Sequence, residues 1–265
     1  MEEAVDELVS ALQVRPAGED RFCTMAPTWF AGDRVFGGAI VAQALNSALH
    51  TVGDTGMRPH SLHGCFLRSV RPGAELDFQV ERWRDGRAFS TRHVTISQAD
   101  KRVMTATVSF HVDESGDEYQ LPMDPDVPRP ESLPANEWDR PFESREAGAV
   151  TADDGSYRST RRVWFRLPSR LPDDPVVHAT LAAYISDMTG DSFRPLSLGT
   201  WGRHVDASLD HALWLHRPFR VDEWLFYDLQ AVANAGGRAL VRGSLYNTNG
   251  QLCLSLAQEL LIREL

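Results

Sequence analysis

Residues 36–52 read FGGAIVAQALNSALHTV. Ile40, Val41, Ala44, Leu45, Ala48, Leu49 and Val52 recur at helical spacing and form one broad apolar stripe. Small residues fill most of the other positions, so the pattern predicts a helix buried on nearly all sides. Gly37 and Gly38 stand at its start, where a missing side chain lets the first turn approach other backbone closely. From His60 the period changes to two. LHGCFLRSV (62–70), ELDFQVERWRDG (75–86), AFSTRHVTISQAD (88–100) and RVMTATVSFHV (102–112) read as four successive strands. Arg84-Asp85-Gly86-Arg87 and Gln98-Ala99-Asp100-Lys101 supply turn chemistry between them. A long apolar helix followed by an antiparallel meander implies one sheet wrapped around one helix.

Outward from this unit, Ala4, Val5, Leu8, Val9 and Leu12 suggest a short amphipathic helix over residues 1–13 that docks on the body. Residues 113–160 change character: six prolines from Pro122 to Pro141 lie among many acids. That stretch reads as a linker or wrapping segment rather than a packed element. Beyond it the first half recurs. Pro175 to Met188 is again helical, with Pro175 suited to the first turn. Strand-like runs follow at 207–217, 223–234, 238–250 and 252–262, and Asn247-Thr248-Asn249-Gly250 is a hairpin signal. Ser61-Leu62-His63 recurs as Ser208-Leu209-Asp210, and Gly86-Arg87-Ala88-Phe89 as Gly237-Arg238-Ala239-Leu240. Two such units can pair their sheets edge to edge, which is a double hotdog of the α+β class. The expected division is an N-terminal repeat over 1–115, a proline-rich connector over 116–154 and a C-terminal repeat over 155–265.

Composition limits what the chain does. With 42% hydrophobic and 24% charged residues among 265, it is a globular sequence, not a disordered one. Its 27 basic and 37 acidic residues leave a net charge of −10, and Lys101 is the single lysine. Sequence-independent nucleic-acid binding needs a dense cationic surface and is excluded. A small anionic ligand held by a few arginines remains compatible. Cys23, Cys65 and Cys253 are far apart and form no CxxC pair, so neither a disulfide framework nor a zinc ribbon is indicated. The first residues are acidic where a signal peptide is basic and then apolar, and no apolar run nears the roughly 18 residues of a membrane span. The expectation is a soluble, cytosolic protein that needs no metal or organic cofactor. No G-x-S-x-G elbow, Walker A loop, G-x-G-x-x-G or H-E-x-x-H occurs. His60 and His63, three apart on a strand, point to opposite faces and make a poor half of a metal site.

Three polar residues keep unexpected company. Asp187 lies at the end of the second apolar helix, where a carboxylate opposes the helix dipole and is costly to bury unpaired. The alternative is an exposed residue capping the next turn. Gln258 interrupts the last strand, CLSLAQELLI, either inward or as an ordinary outward residue. Ser208 opens a strand, where simple turn chemistry is the plainer account.

Taken in order, FGGAIVAQALNSALHTV, HSLHGCFLRSV, VERWRDGRAFSTRHV, SLDHALWLHRPFRVDEWLFYDL and RALVRGSLYNTNGQLCLSLAQE resemble the acyl-CoA thioesterase II family over nearly the whole chain. The segment after Asp187 and the connector match it least. The resemblance implies a double hotdog fold and hydrolysis of acyl-CoA to free acid and CoA. It also implies a catalytic set of Asp, Ser or Thr, and Gln acting on water, which falls on Asp187, Ser208 and Gln258. By resemblance to hotdog enzymes, the first turn around Gly38 is the candidate oxyanion donor. The expected partners are an acyl-CoA substrate and further copies of the chain in a homo-oligomer, with no nucleic acid.

Two other classes remain open. One is a double hotdog that binds acyl-CoA without cleaving it. The other is an enoyl-CoA hydratase, disfavoured because Asp210 and His211 are adjacent on a strand and face opposite ways. The repeat also sets an expectation of asymmetry. Ser208 corresponds to Ser61 and Gln258 to a residue near Thr107, while the counterpart of Asp187 falls near Asn46 or Ser47. Neither Asn nor Ser serves as a general base near pH 7, so one active site per chain is expected, built around Asp187.

Overall fold

The computed structural model describes residues 2–28, 34–136, 141–151, 157–159, 161–189 and 204–264. The first half runs α1 (Glu2–Ala11), β1 (Arg15–Gly18), β2 (Arg21–Met25), α2 (Gly37–Leu49), β3 (Arg58–Phe66), β4 (Glu75–Asp85), β5 (Phe89–Gln98) and β6 (Lys101–His111). The second runs β7 (Glu143–Glu146), β8 (Val150–Thr151), β9 (Tyr157–Ser159), β10 (Arg161–Arg166), α3 (Pro175–Ser186), β11 (His204–Ser208), β12 (Asp210–Leu215), β13 (Leu225–Ala235), β14 (Arg238–Asn247) and β15 (Leu252–Glu264).

Apart from the small β8–β9 pair, the strands join in one antiparallel sheet ordered β1-β2-β4-β5-β6-β3-β12-β15-β14-β13-β10-β7, with β11 pairing on β15. The order reads the same from both ends towards the centre. β3 and β12 form the seam, with Leu62 opposite Leu213 and Gly64 opposite His211. Each half wraps one helix, as the double hotdog requires. α2 is buried at every position from Gly38 to Ala48, and α3 at every position from His178 to Ser186. Period-two burial fits this: Leu76, Phe78 and Val80 of β4 and Arg92, Val94 and Ile96 of β5 turn inward on to α2. α1 docks through Val5 and Leu8, and Leu12 just after it is buried too.

Three parts of the sheet escaped the sequence pattern. β1 and β2 lie between α1 and α2, β7 lies inside the segment read as a connector, and β10 lies between that segment and α3. β7 pairs with β10 along Ser144–Phe165 and its neighbours, and Val127, Pro130, Phe142 and Ser144 are buried. The proline-rich stretch is therefore packed: Trp164 Nε1 donates to the Pro128 carbonyl at 2.9 Å, and Val127 joins Trp164, Phe226 and Tyr246 in a small second core. Prolines hide the strand and packing signals here because they remove donors without removing apolar contact.

Candidate active site

α3 begins conventionally. Asp174 caps it by accepting the Val176 N–H at 2.9 Å, and Pro175 takes the first turn. It ends at Asp187, the C-cap residue, which is 5% exposed. The exposed-cap alternative is thus excluded, and the position would be costly if no positive group faced it. The fold supplies one, because the start of α2 lies against the end of α3. A β-carbon at Gly37 would stand 2.7 Å from Asp187 Oδ2, and one at Gly38 would stand 2.3 Å from the Tyr184 carbonyl oxygen. The Phe36 and Tyr184 rings meet edge to face at 5.1 Å. The carboxylate at the negative end of α3 therefore faces the positive end of α2. Gly37 borders the carboxylate, while Gly38 is the point of closest helix–helix approach.

Gln258 lies on β15 with the inward parity of Leu254, Leu256 and Leu260, so the outward alternative fails as well. Its Nε2 donates to Asp187 Oδ1 in a short bond and to Ser208 Oγ at 2.7 Å. Ser208 closes β11 and donates to Asp187 Oδ1 at 3.3 Å. All three residues singled out in the sequence therefore meet at one point. Thr189, which the sequence reading did not select, completes the arrangement: its Oγ1 donates to Gln258 Oε1 at 2.5 Å. That bond fixes which way the amide faces, since the oxygen engaged by Thr189 leaves the nitrogen towards Asp187. The only sequence signal for Thr189 was its place two residues after Asp187.

His211 was also missed as a site neighbour. It is fully buried on β12 behind Gln258. Ser186 Oγ donates to the Ala183 carbonyl at 2.8 Å, so it accepts from His211 Nε2–H at 2.7 Å. Tyr227 OH donates to the Ser186 carbonyl at 2.7 Å, and burial together with the Asp187 charge holds its pKa well above the usual value. Burial pushes His211 down to about 4, with the Gln258 side chain working weakly the other way. An unfolded imidazole protonates near 6.5. Between those values the unfolded chain binds a proton that the folded one does not, so stability falls as pH drops from about 6.5 to 4. Between pH 7 and pH 5 this group should cost roughly 2 kcal/mol. Urea unfolding at both pH values should show a smaller pH difference in His211→Gln than in wild type. An unchanged difference would refute the assignment.

The equivalent end of the first half is built differently. α2 ends at Leu49, so its C-cap is His50, not Asn46 or Ser47. Asn46 faces the start of the chain, accepting from Val14 N–H at 3.1 Å and donating to Gln13 at 3.1 Å, while Ser47 donates to the Ala44 carbonyl. The helix ends do not line up by residue count because the following loops differ in length. His50 is exposed and stacks on Phe22 at 5.4 Å. Next to it the buried Arg92 of β5 donates to Thr51 Oγ1 at 2.7 Å and to Asp85 at 2.5 Å. Thr107 is no counterpart of Gln258: it faces outward, 3.4 Å from His93, and Ala106 and Val108 take the inward positions.

Comparison with known proteins covers both halves of the chain. Residues 25–111 match the family model for the acyl-CoA thioesterase N-terminal domain, and residues 135–261 match that for acyl-CoA thioesterase. The chain is similar to human acyl-coenzyme A thioesterase 8, at 31% identity over 97% of this chain and 88% of that protein. Its structure resembles that of acyl-CoA thioesterase II TesB2 from Mycobacterium marinum, with 34% identity, a TM-score of 0.85 and coverage of 97% of this chain and 98% of that one. A hot dog fold protein of unknown function from Alicyclobacillus acidocaldarius, at 17% identity, TM-score 0.77 and coverage of 97% and 98%, shares the architecture. A double hotdog matched along both halves, with a near full-length relative of this identity, places the chain in the acyl-CoA thioesterase family, a family of thioester hydrolases.

Proposed function

We propose that this enzyme hydrolyses acyl-CoA at a single site per chain, with Asp187 as general base and Gln258 and Ser208 holding the attacking water. The observation that carries this is the directed network Thr189–Gln258–Asp187–Ser208. Asp187 Oδ1 takes both donors, while Oδ2 lies on the α2 side beside Gly37, the side on which the base would take the proton of a water. The water oxygen bonds to the thioester carbonyl carbon while Asp187 accepts a proton. Charge on the carbonyl oxygen is met by amides at the start of α2, with Gly38 as the candidate donor. The C–S bond then breaks and the departing CoA sulfur takes the proton. No covalent intermediate is required. Among the described residues no helix is long and apolar enough to cross a membrane. Cytoplasmic location and assembly into a homo-oligomer accompany this reading.

A set of acyl-CoAs from acetyl to palmitoyl, followed with a thiol-reactive dye, tests the reaction and separates it from binding without cleavage. Release of CoA from none of them would overturn the proposal. Ser208→Ala and Gln258→Ala should each lower kcat, and the double variant should fall short of the product of the two effects, because both hold one water. Strict multiplicativity would remove that shared role. Thr189→Val keeps the shape but frees the Gln258 amide to turn. It should cost up to about tenfold in kcat, the worth of one hydrogen bond. Wild-type kcat in this variant would show that Thr189 does not orient the amide.

A further inference from the structure

A cavity of about 520 Å3 opens at the opposite end of α3 from Asp187 and contains none of the three site residues. Pro175, His178 and Ala179 form one wall, the start of β3 from Arg58 to His60 another, and Leu215 to Phe219 a third. The 12-residue helix separates it from Asp187 by about 18 Å. Its position follows from the seam. The Asp187 site lies among the start of α2 at Gly37, the end of β3 at Phe66 and the segment leading into β12 at Ser208. Exchange of the two halves about the β3–β12 seam carries these to the start of α3, the end of β12 at Leu215 and the start of β3 at Pro59. Those are the walls of the cavity. What the exchange does not reproduce is the base, since α2 ends in His50 with Arg92 sealing Thr51.

We propose that this cavity is a second, non-hydrolytic binding site for an acyl thioester of coenzyme A. The inference rests on the acyl-CoA reading of the Asp187 site. Leu215, Phe219 and Ala179 offer an apolar wall for the chain. Arg58 and Arg217 line the cavity and are partly exposed, so phosphates could meet them there. Arg58 is held 3.3 Å from Asp113 and Arg217 3.2 Å from Glu118. Both carboxylates are mostly exposed, at 74% and 80%, so these pairs contribute little and a phosphate displaces them readily. His178 gives the wall a polar point. Its Nδ1 accepts from Val221 N–H at 3.2 Å, which puts the ring proton on Nε2, and that buried atom has no partner in hydrogen-bond geometry. The Pro172 carbonyl interacts with the ring but lacks that geometry.

Isothermal titration of the full chain with a thioether analogue of acyl-CoA, which cannot be hydrolysed, should give two bound molecules per chain. Arg58→Glu and Ala179→Trp, both in the cavity lining, should each reduce this to one, with kcat of Arg58→Glu within twofold of wild type. Arg58 is on the surface, so the test survives if Ala179→Trp does not fold. Hydrolysis by wild type with only one bound analogue, or two bound molecules indifferent to Arg58→Glu, would overturn the second site alone. Absence of both hydrolysis and binding would overturn the reading beneath it.

Discussion

Asp187→Asn should lower kcat by at least about a hundredfold, within the range expected for loss of a general base. The substitution preserves shape and most of the hydrogen bonding. The Asn oxygen still accepts from Gln258 Nε2 and Ser208 Oγ, so the network that positions the water survives. What disappears is the proton acceptor on the side facing α2. Substrate binding, read as Kd for a thioether analogue, should change far less than kcat. Measured kcat near wild type would discard Asp187 as the base.

Gly38→Ala should destabilise the protein by roughly 3 kcal/mol, at the upper end for overpacking by one methyl group. The added carbon would stand 2.3 Å from the Tyr184 carbonyl oxygen and 2.5 Å from the Phe36 ring, and a carbonyl inside a helix cannot move aside alone. The two central helices would have to separate. Gly64→Ala is the control. Its added carbon also meets an atom at 2.3 Å, but that atom is the terminal methyl of Met104, which can rotate away. Urea unfolding of both variants should rank Gly38→Ala well above Gly64→Ala in cost. Equal costs would mean that the helix–helix approach is softer than the geometry indicates. Because Gly37 and Asp187 share this contact, Gly38→Ala should also lower kcat in the fraction that folds.

Both central helices and the long strands that follow them were legible because burial on one face writes a period into the residues. Leu76, Phe78 and Val80 announce β4 without any knowledge of its partners. β1, β2, β7 and β10 were not legible: the edge strand β1 is exposed at every position, β2 and β7 are only five and four residues long, and β10 is buried at four consecutive positions, so none carries a sustained alternation. Asp187 and Gln258 stood out as polar residues in apolar runs, and their roles came from the resemblance; their convergence is a product of pairing between distant segments. Thr189 and His211 could not be read in that way. A threonine after a helix and a histidine in a strand are ordinary locally, and only the direction of their hydrogen bonds distinguishes them. The misplacement of the Asp187 counterpart has the same origin: counting residues back from Ser61 assumes equal loops, whereas the helix ends are set by where each helix meets the sheet.

The seam between β3 and β12 has a genetic consequence. In a dimer of identical subunits any substitution is made twice, so the two ends of the helix pair are bound to carry the same residue. Joining the halves in one polypeptide lifts that restriction. It also makes the pairing a unimolecular event whose extent does not depend on protein concentration. One helix can then end in an aspartate and the other in a histidine, and a mutation that ruins one pocket leaves the other intact. Each half has become free to drift towards a different task while neither can be lost by dilution.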